Sequence, residues 1–216
     1  MPDTVLDKVR RALARREPLT SPPIPPPIEE PIVRLVYSDI GLPELFQKRA
    51  TGMKMLVEMT RVEDVLEKTA TFLREKNCKS VMLSDTPLIK KLGVRDYLAN
   101  AGFAAHNWQD MTADQAYEID VGVTDADYAV AETGTLAIRH RPEHGRLLSL
   151  VPFVHVAIIE PKIFVPDLID LFEKLKSEDT GSGVTLISGP SKTSDIEMTL
   201  VVGVHGPNVV KTFVLS

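Results

Sequence analysis

Ala131-Glu132-Thr133-Gly134-Thr135 sets one carboxylate beside two hydroxyls around a glycine, directly after an apolar run at 128–131. A carboxylate in that place can act as a base, a nucleophile or an anchor for a ligand hydroxyl. The same residues also make an ordinary hairpin turn whose threonines bond their own backbone, and from spacing alone both readings stand. A second segment runs Ser188-Gly189-Pro190-Ser191-Lys192-Thr193-Ser194-Asp195-Ile196-Glu197, after the apolar stretch 184–187. Small residues, hydroxyls and one ammonium after a strand form an anion cradle. It has neither the G-x-x-x-x-G-K-[ST] nor the G-x-G-x-x-G spacing. Ser194 with Glu197 three residues on also fits a helix capping box, which is compatible with anion binding.

The histidines are His106, His140, His144, His155 and His205. His155 opens an apolar strand and reads as a structural histidine. His140 and His144 share a loop with Arg139, Arg141 and Arg146, which suits an anionic ligand, a partner or plain solvent. His205 lies in a turn between Gly203 and Gly206, as a candidate acid–base group. No pair has zincin spacing, so no metal site is expected. There is no G-x-S-x-G elbow, which argues against a serine hydrolase.

These segments need a scaffold. Helices are expected at 42–51, 62–76, 112–117 and 165–176, the last with Leu168, Ile169, Leu171, Phe172 and Leu175 as its buried face. Strands are expected at 53–59, 80–83, 103–107, 121–124, 128–131, 135–139, 155–159, 184–188 and 209–215. The alternation predicts an α/β domain with a largely parallel sheet, plus antiparallel character from a hairpin over about 121–139. Open α/β sheets bind ligands at the carboxyl ends of their strands. On that rule Glu132, Thr133, Gly134 and Thr135 should face Ser188, Gly189, Ser191, Lys192 and Thr193 across one crevice. Lys192 and nearby N–H groups would hold an anion, and Glu132 would meet its reacting or hydroxyl-bearing end. Asp195, Glu197 and His205 would surround them, His205 being the alternative acid–base group.

The chain has 216 residues, 44% hydrophobic and 25% charged, with a net charge of −5. That suits one ordinary domain with an appendage and makes nucleic acid an unexpected partner. A single cysteine, Cys78, excludes an intrachain disulfide and any cluster built by this chain alone. It suits a reducing cytoplasm, and no apolar run is long enough to span a membrane. Residues 1–17 read as an amphipathic helix with Val5, Leu6, Val9 and Leu13 on one face, or as a basic targeting helix, but not as a secretory signal. Between Pro18 and Pro31 lie seven of the sixteen prolines, a semi-rigid spacer. The expected division is 1–31 as helix and linker and 32–216 as the folded domain.

Four segments carry a resemblance: 123–136 (V-T-D-A-D-Y-A-V-A-E-T-G-T-L), 151–155 (V-P-F-V-H), 188–197 and 203–207 (G-V-H-G-P). Together, in order and spacing, they resemble the LUD domain of the lactate-utilisation protein C (LutC/YkgG) family over nearly the whole chain. The resemblance implies a three-layer α/β/α sandwich like the NagB/RpiA/CoA-transferase superfamily. It implies a subunit of a three-component system that oxidises L-lactate to pyruvate and is not active alone. Cysteine-rich and ferredoxin-like partner subunits would carry the iron–sulfur clusters, and this chain would bind no cofactor by itself. It supplies no catalytic residue, so the site above rests on the residues. The alternatives are a stand-alone small-carboxylate or phosphate-ester binding or transferase-like protein, and a non-catalytic regulatory subunit.

The spacer yields the first test. Limited proteolysis should trim the first 31 residues and leave a folded core. If trimming unfolds the remainder, the appendage reading is wrong.

Overall fold

The computed structural model describes residues 4–12, 26, 34–36, 41–193, 201–202 and 206–216. The chain divides into two units, Met1–Val33 and Arg34–Ser216. In the first, helix α1 (Val5–Ala12) starts where the Thr4 hydroxyl accepts the Asp7 N–H and the Asp7 carboxylate accepts the Thr4 N–H. That reciprocal pair satisfies two donors the helix end would otherwise leave open.

The second unit is built on a parallel six-stranded sheet in the order β1 (Leu56–Thr60), β12 (Val209–Leu215), β7 (Val154–Ile159), β4 (Val121–Thr124), β2 (Ser80–Leu83), β3 (Ala104–Asn107). Strands β4 and β7 are buried along their whole length, as continuous apolar runs require when both faces are covered. One face packs Val81, Val121, Val156 and Phe213 against Leu73, Ile89, Val94 and Leu98. Those four come from helices α3 (Val65–Glu75), α4 (Pro87–Leu92) and α5 (Val94–Asn100).

The other face packs Ala157, Ile159, Val210 and Val214 against Leu42, Phe46 and Ala50 of helix α2 (Leu42–Gly52) and against a second sheet. That sheet has the order β8 (Phe164–Val165), β5 (Tyr128–Val130), β6 (Thr135–Arg139), β9 (Val184–Ile187). Strand β6 runs antiparallel to β5 and β9, and β8 parallel to β5. Leu171 and Leu175 of the Leu168–Lys176 helix cover its outer side. The molecule is an α/β sandwich with a largely parallel central sheet, as the alternation predicts.

Three local expectations need correction. The antiparallel hairpin is only β5–β6, because β4 is a central parallel strand of the other sheet. The last long helix begins at Leu168, because Phe164 and Val165 pair with β5 and the Asp167 carboxylate accepts the Asp170 N–H as its cap. Phe172 is exposed, outside the stripe that Leu171 and Leu175 bury.

Gly122 fixes the spacing on the inner face. A Cβ there would lie 1.7 Å from the Leu148 carbonyl oxygen, so the Leu147–Leu150 helix rests directly on β4. Gly122→Ala should cost about 3 kcal/mol, the upper end of overpacking, read as a lower urea midpoint. Gly52→Ala, with nothing within 4 Å of the added carbon, should hold or raise the midpoint.

Candidate functional site

Helices α2 and α3 each end in a Schellman turn. In the first, Met55 N–H donates to Ala50 O and Lys54 N–H to Thr51 O, both at 3.0 Å, with Lys54 at φ 74°. In the second, Cys78 N–H reaches Leu73 O at 3.0 Å and Asn77 N–H reaches Arg74 O at 2.9 Å, with Asn77 at φ 56°. Lys54 takes a left-handed position that glycine fills more cheaply, by roughly 1–2 kcal/mol. The two turns deliver Lys54 and Lys76 to the edge where β1 and β2 begin.

The two segments singled out by sequence meet at that edge. Thr133 Oγ1 and Thr135 Oγ1 share a hydrogen bond of 2.7 Å, and Thr135 Oγ1 shares another of 2.7 Å with Ser188 Oγ. Gly134 (φ +64°) has no room for a Cβ, which would lie 2.3 Å from Ala50 N. Gly189 (φ +97°) would put one 2.3 Å from Met53 O. Both glycines therefore clasp the last turn of α2, and their surfaces are covered by backbone. Lys192 Nζ donates to Met53 O at 3.3 Å, where a cation also answers the negative end of the helix dipole. Ser191 N–H donates to Pro207 O at 2.9 Å. The Glu132 side chain is half-buried, and its N–H donates to Pro166 O at 3.0 Å. Among the described residues no hydrogen bond or ion pair reaches its carboxylate. Thr193 pairs through its backbone with Val201 in a short β10–β11 ladder, Lys192–Thr193 with Val201–Val202. Asp195, Glu197 and His205 lie outside the described residues.

The convergence is real but its place differs from the expectation. The edge belongs to the second sheet, and its neighbours Met53 and Pro207 precede β1 and β12. It thus borders the amino ends of the parallel strands. A cavity of about 460 Å³ here is lined by Lys54, Lys76, Lys192, Pro190 and Asn208 among others. Among the described residues no acid lines it, and there the three ammonium groups outweigh the two helix ends, which supply about −0.5 each.

The carboxyl edge carries different chemistry, which the sequence touches only through the His140, His144 and arginine loop and does not join to Thr124, Asp125 or His155. The chain leaves β2 for β3 on one side and later returns to β4 on the other, so the crevice between the ends of β2 and β4 is the topological switch point. Ser84 N–H donates to Val123 O at 3.0 Å there, and Asp85 N–H to Glu143 O at 2.9 Å. Thr124 Oγ1 and His155 Nε2 lie 2.9 Å apart, and Asp125 Oδ1 stands 3.5 Å from His144 Nδ1. Asp127 accepts from Arg139 Nε and Arg141, both at 2.9 Å, and Glu178 accepts from Arg139 at 2.7 Å. Burial and the Glu178 bond push Tyr128 up to about 12. His140 meets Thr185 Oγ1 at 2.6 Å, and burial, then His144 and Arg146, lower its pKa. Burial, then the charge of His144, lowers His155 to about 3. Thr124-Asp125 closing the strand at 121–124 was the available signal for this cluster.

A profile of the LUD domain matches residues 43–215. "Lactate utilization protein C" of Halalkalibacterium halodurans is 30% identical over 79% of this chain and 77% of its own length. "Lactate utilization protein C 1" of Bacillus mycoides is 33% identical over 70% and 69%. A DUF162 family protein from Deinococcus radiodurans shares the fold at TM-score 0.64 and 20% identity, covering 83% of this chain and 99% of that one.

His155 generates a pH prediction. Its folded pKa lies below the unfolded value, so the unfolded state takes the proton first and stability falls with acidity. Its contribution is complete above about 6.5 and is lost as pH drops toward 3, at about 1.4 kcal/mol per unit. Urea midpoints measured from pH 7.5 to 5 should fall, and more gently in His155→Gln. Equal slopes in both proteins would refute the buried neutral imidazole.

Proposed function

The chain belongs to the LUD-domain family, among relatives named for lactate utilisation, and from that premise we propose that it serves lactate utilisation as a protein C-type subunit. In this reading it binds a small anion while cysteine-rich and ferredoxin-like iron–sulfur partners carry the electrons from L-lactate. The observation that supports it is the lysine-lined cavity at the amino edge, where Lys192 meets Lys54 and Lys76. Lactate and pyruvate are monocarboxylates that such a cavity attracts. Glu132, unpaired beside the Thr133–Thr135–Ser188 hydroxyl chain, would meet the hydroxyl-bearing end of the ligand. Ser191 and Thr193 would frame the anion through their backbone, and Gly134 and Gly189 would hold the helix end that presents Lys54. Asp195, Glu197 and His205 belong to the same proposal from sequence.

Cys78 fits the division of labour. Burial, then the charge of Asp120, raises its thiol to about 11, which suppresses the thiolate a cluster needs. No helix among the described residues is long and apolar enough to cross a membrane.

Lys192→Met should weaken pyruvate binding about tenfold, the loss of one charge-assisted bond. Stability read by urea unfolding should change by no more than about 0.5 kcal/mol, as for a surface site. Glu132→Gln should lower lactate oxidation by the reconstituted three-protein system while leaving pyruvate affinity unchanged. Unaltered binding in Lys192→Met, or robust lactate oxidation by this chain alone, would defeat the reading.

A further inference from the structure

A cavity of about 190 Å³ opens at the carboxyl ends of β2 and β3, against the junction of α4 and α5. Parallel α/β sheets take their ligands at such strand ends. Buried Leu83, Ile89 and Val94 form its floor. Ser84, 2% exposed, lies among them, and its Oγ has only Thr86 Oγ1 nearby, at 3.4 Å. That is long for a hydroxyl pair, so the Ser84 hydroxyl keeps bonding capacity.

The rim carries both signs of charge. Asp85 is spent on Lys90, Oδ2 to Nζ at 2.9 Å. Arg95 and Asp96 also line the cavity. Among the described residues no hydrogen bond or ion pair reaches the Arg95 guanidinium, the Asp96 carboxylate or the Asn107 amide. Consecutive residues of a helix point in different directions, so Arg95 and Asp96 do not neutralise each other. They present one free cation and one free anion to the same small space.

That arrangement selects by charge. A simple anion would meet Arg95 but also face Asp96, and a simple cation would meet the reverse. An uncharged ligand would leave both unanswered. A molecule with an ammonium and a carboxylate on one carbon answers both, and an aliphatic side chain covers the apolar floor. The volume limits that side chain to a small one.

We propose that this cavity binds a small aliphatic amino acid, alanine to valine in size, as its zwitterion. Arg95 and the Ser84 hydroxyl take the carboxylate. Asp96 and the Asn107 carbonyl take the ammonium, and the side chain lies on Leu83 and Ile89. The site does not rest on the lactate-utilisation reading, and it lies at the opposite strand ends from the lysine cavity. The two cavities therefore sort ligands, monoanions to the lysines and zwitterions to the Arg95–Asp96 rim.

Saturation-transfer NMR on the full chain at neutral pH, with L-alanine, L-valine and L-lactate as probes, tests this. Both amino acids should receive saturation, and L-lactate, lacking the ammonium, should not displace L-valine. Arg95→Gln and Asp96→Asn should each weaken L-valine about tenfold, the loss of one charge-assisted bond. Both residues are exposed, so urea midpoints should stay near that of the unaltered chain. L-valine bound as before by a Lys192→Met protein that no longer takes pyruvate would support this site. No transfer to either amino acid, undiminished affinity in Asp96→Asn, or ready displacement by L-lactate would overturn it.

Discussion

The last turn of the Leu42–Gly52 helix is held at backbone distance by two glycines from distant parts of the chain. Ala50 lies against Gly134 and Met53 against Gly189, with no room for a side chain at either turn. Dispersion and exclusion of water act fully at such separations, and any added carbon forces the contact open. This contact ties the smaller sheet to the start of β1 and so sets the spacing between the sheets. The buried layer between them, with Phe46, Leu136, Ala157 and Ile159, follows from it. So does the presentation of Lys54, which stands in the left-handed turn closing the same helix.

From that clasp the molecule acquires two unlike edges. At the amino ends, ammonium groups gather around exposed helix termini, and their pull on an anion is long-range and screened by salt. At the carboxyl ends the groups are buried and few, and the low dielectric makes each pairing decisive. Asp127 with Arg139 and Arg141 secures the second sheet beside that edge. Asp125 and His144 stand next to this settled network with capacity to spare. A chain whose proposed partners carry the electrons needs only to hold and orient its ligand, and the lysine-lined edge suits that task.

Much of the fold was legible in the residues. The strands 80–83, 121–124, 135–139 and 209–215 follow from apolar runs bounded by turn residues, and the structure keeps those bounds. Which strands share a sheet was not legible. Val121–Thr124 and Tyr128–Val130 are four residues apart, yet the turn at 125–127 sends them to different sheets, a choice made by long-range packing. That choice reversed the site. The segments that hold Glu132 and Ser188 do follow strands and do meet, through Thr135 and Ser188, but at the amino edge of the parallel sheet. Gly134 and Gly189 looked like room for a ligand and prove to be room for a helix. The strand-end rule, applied to Thr124 and Asp125, would have led to His144 and His155.

A crystal structure of the full chain grown with pyruvate near pH 6.5 tests the account most directly. The account predicts carboxylate density among Lys54, Lys76 and Lys192. Pyruvate bound elsewhere, or seated between Gly134 and Gly189 with the helix end displaced, would contradict it.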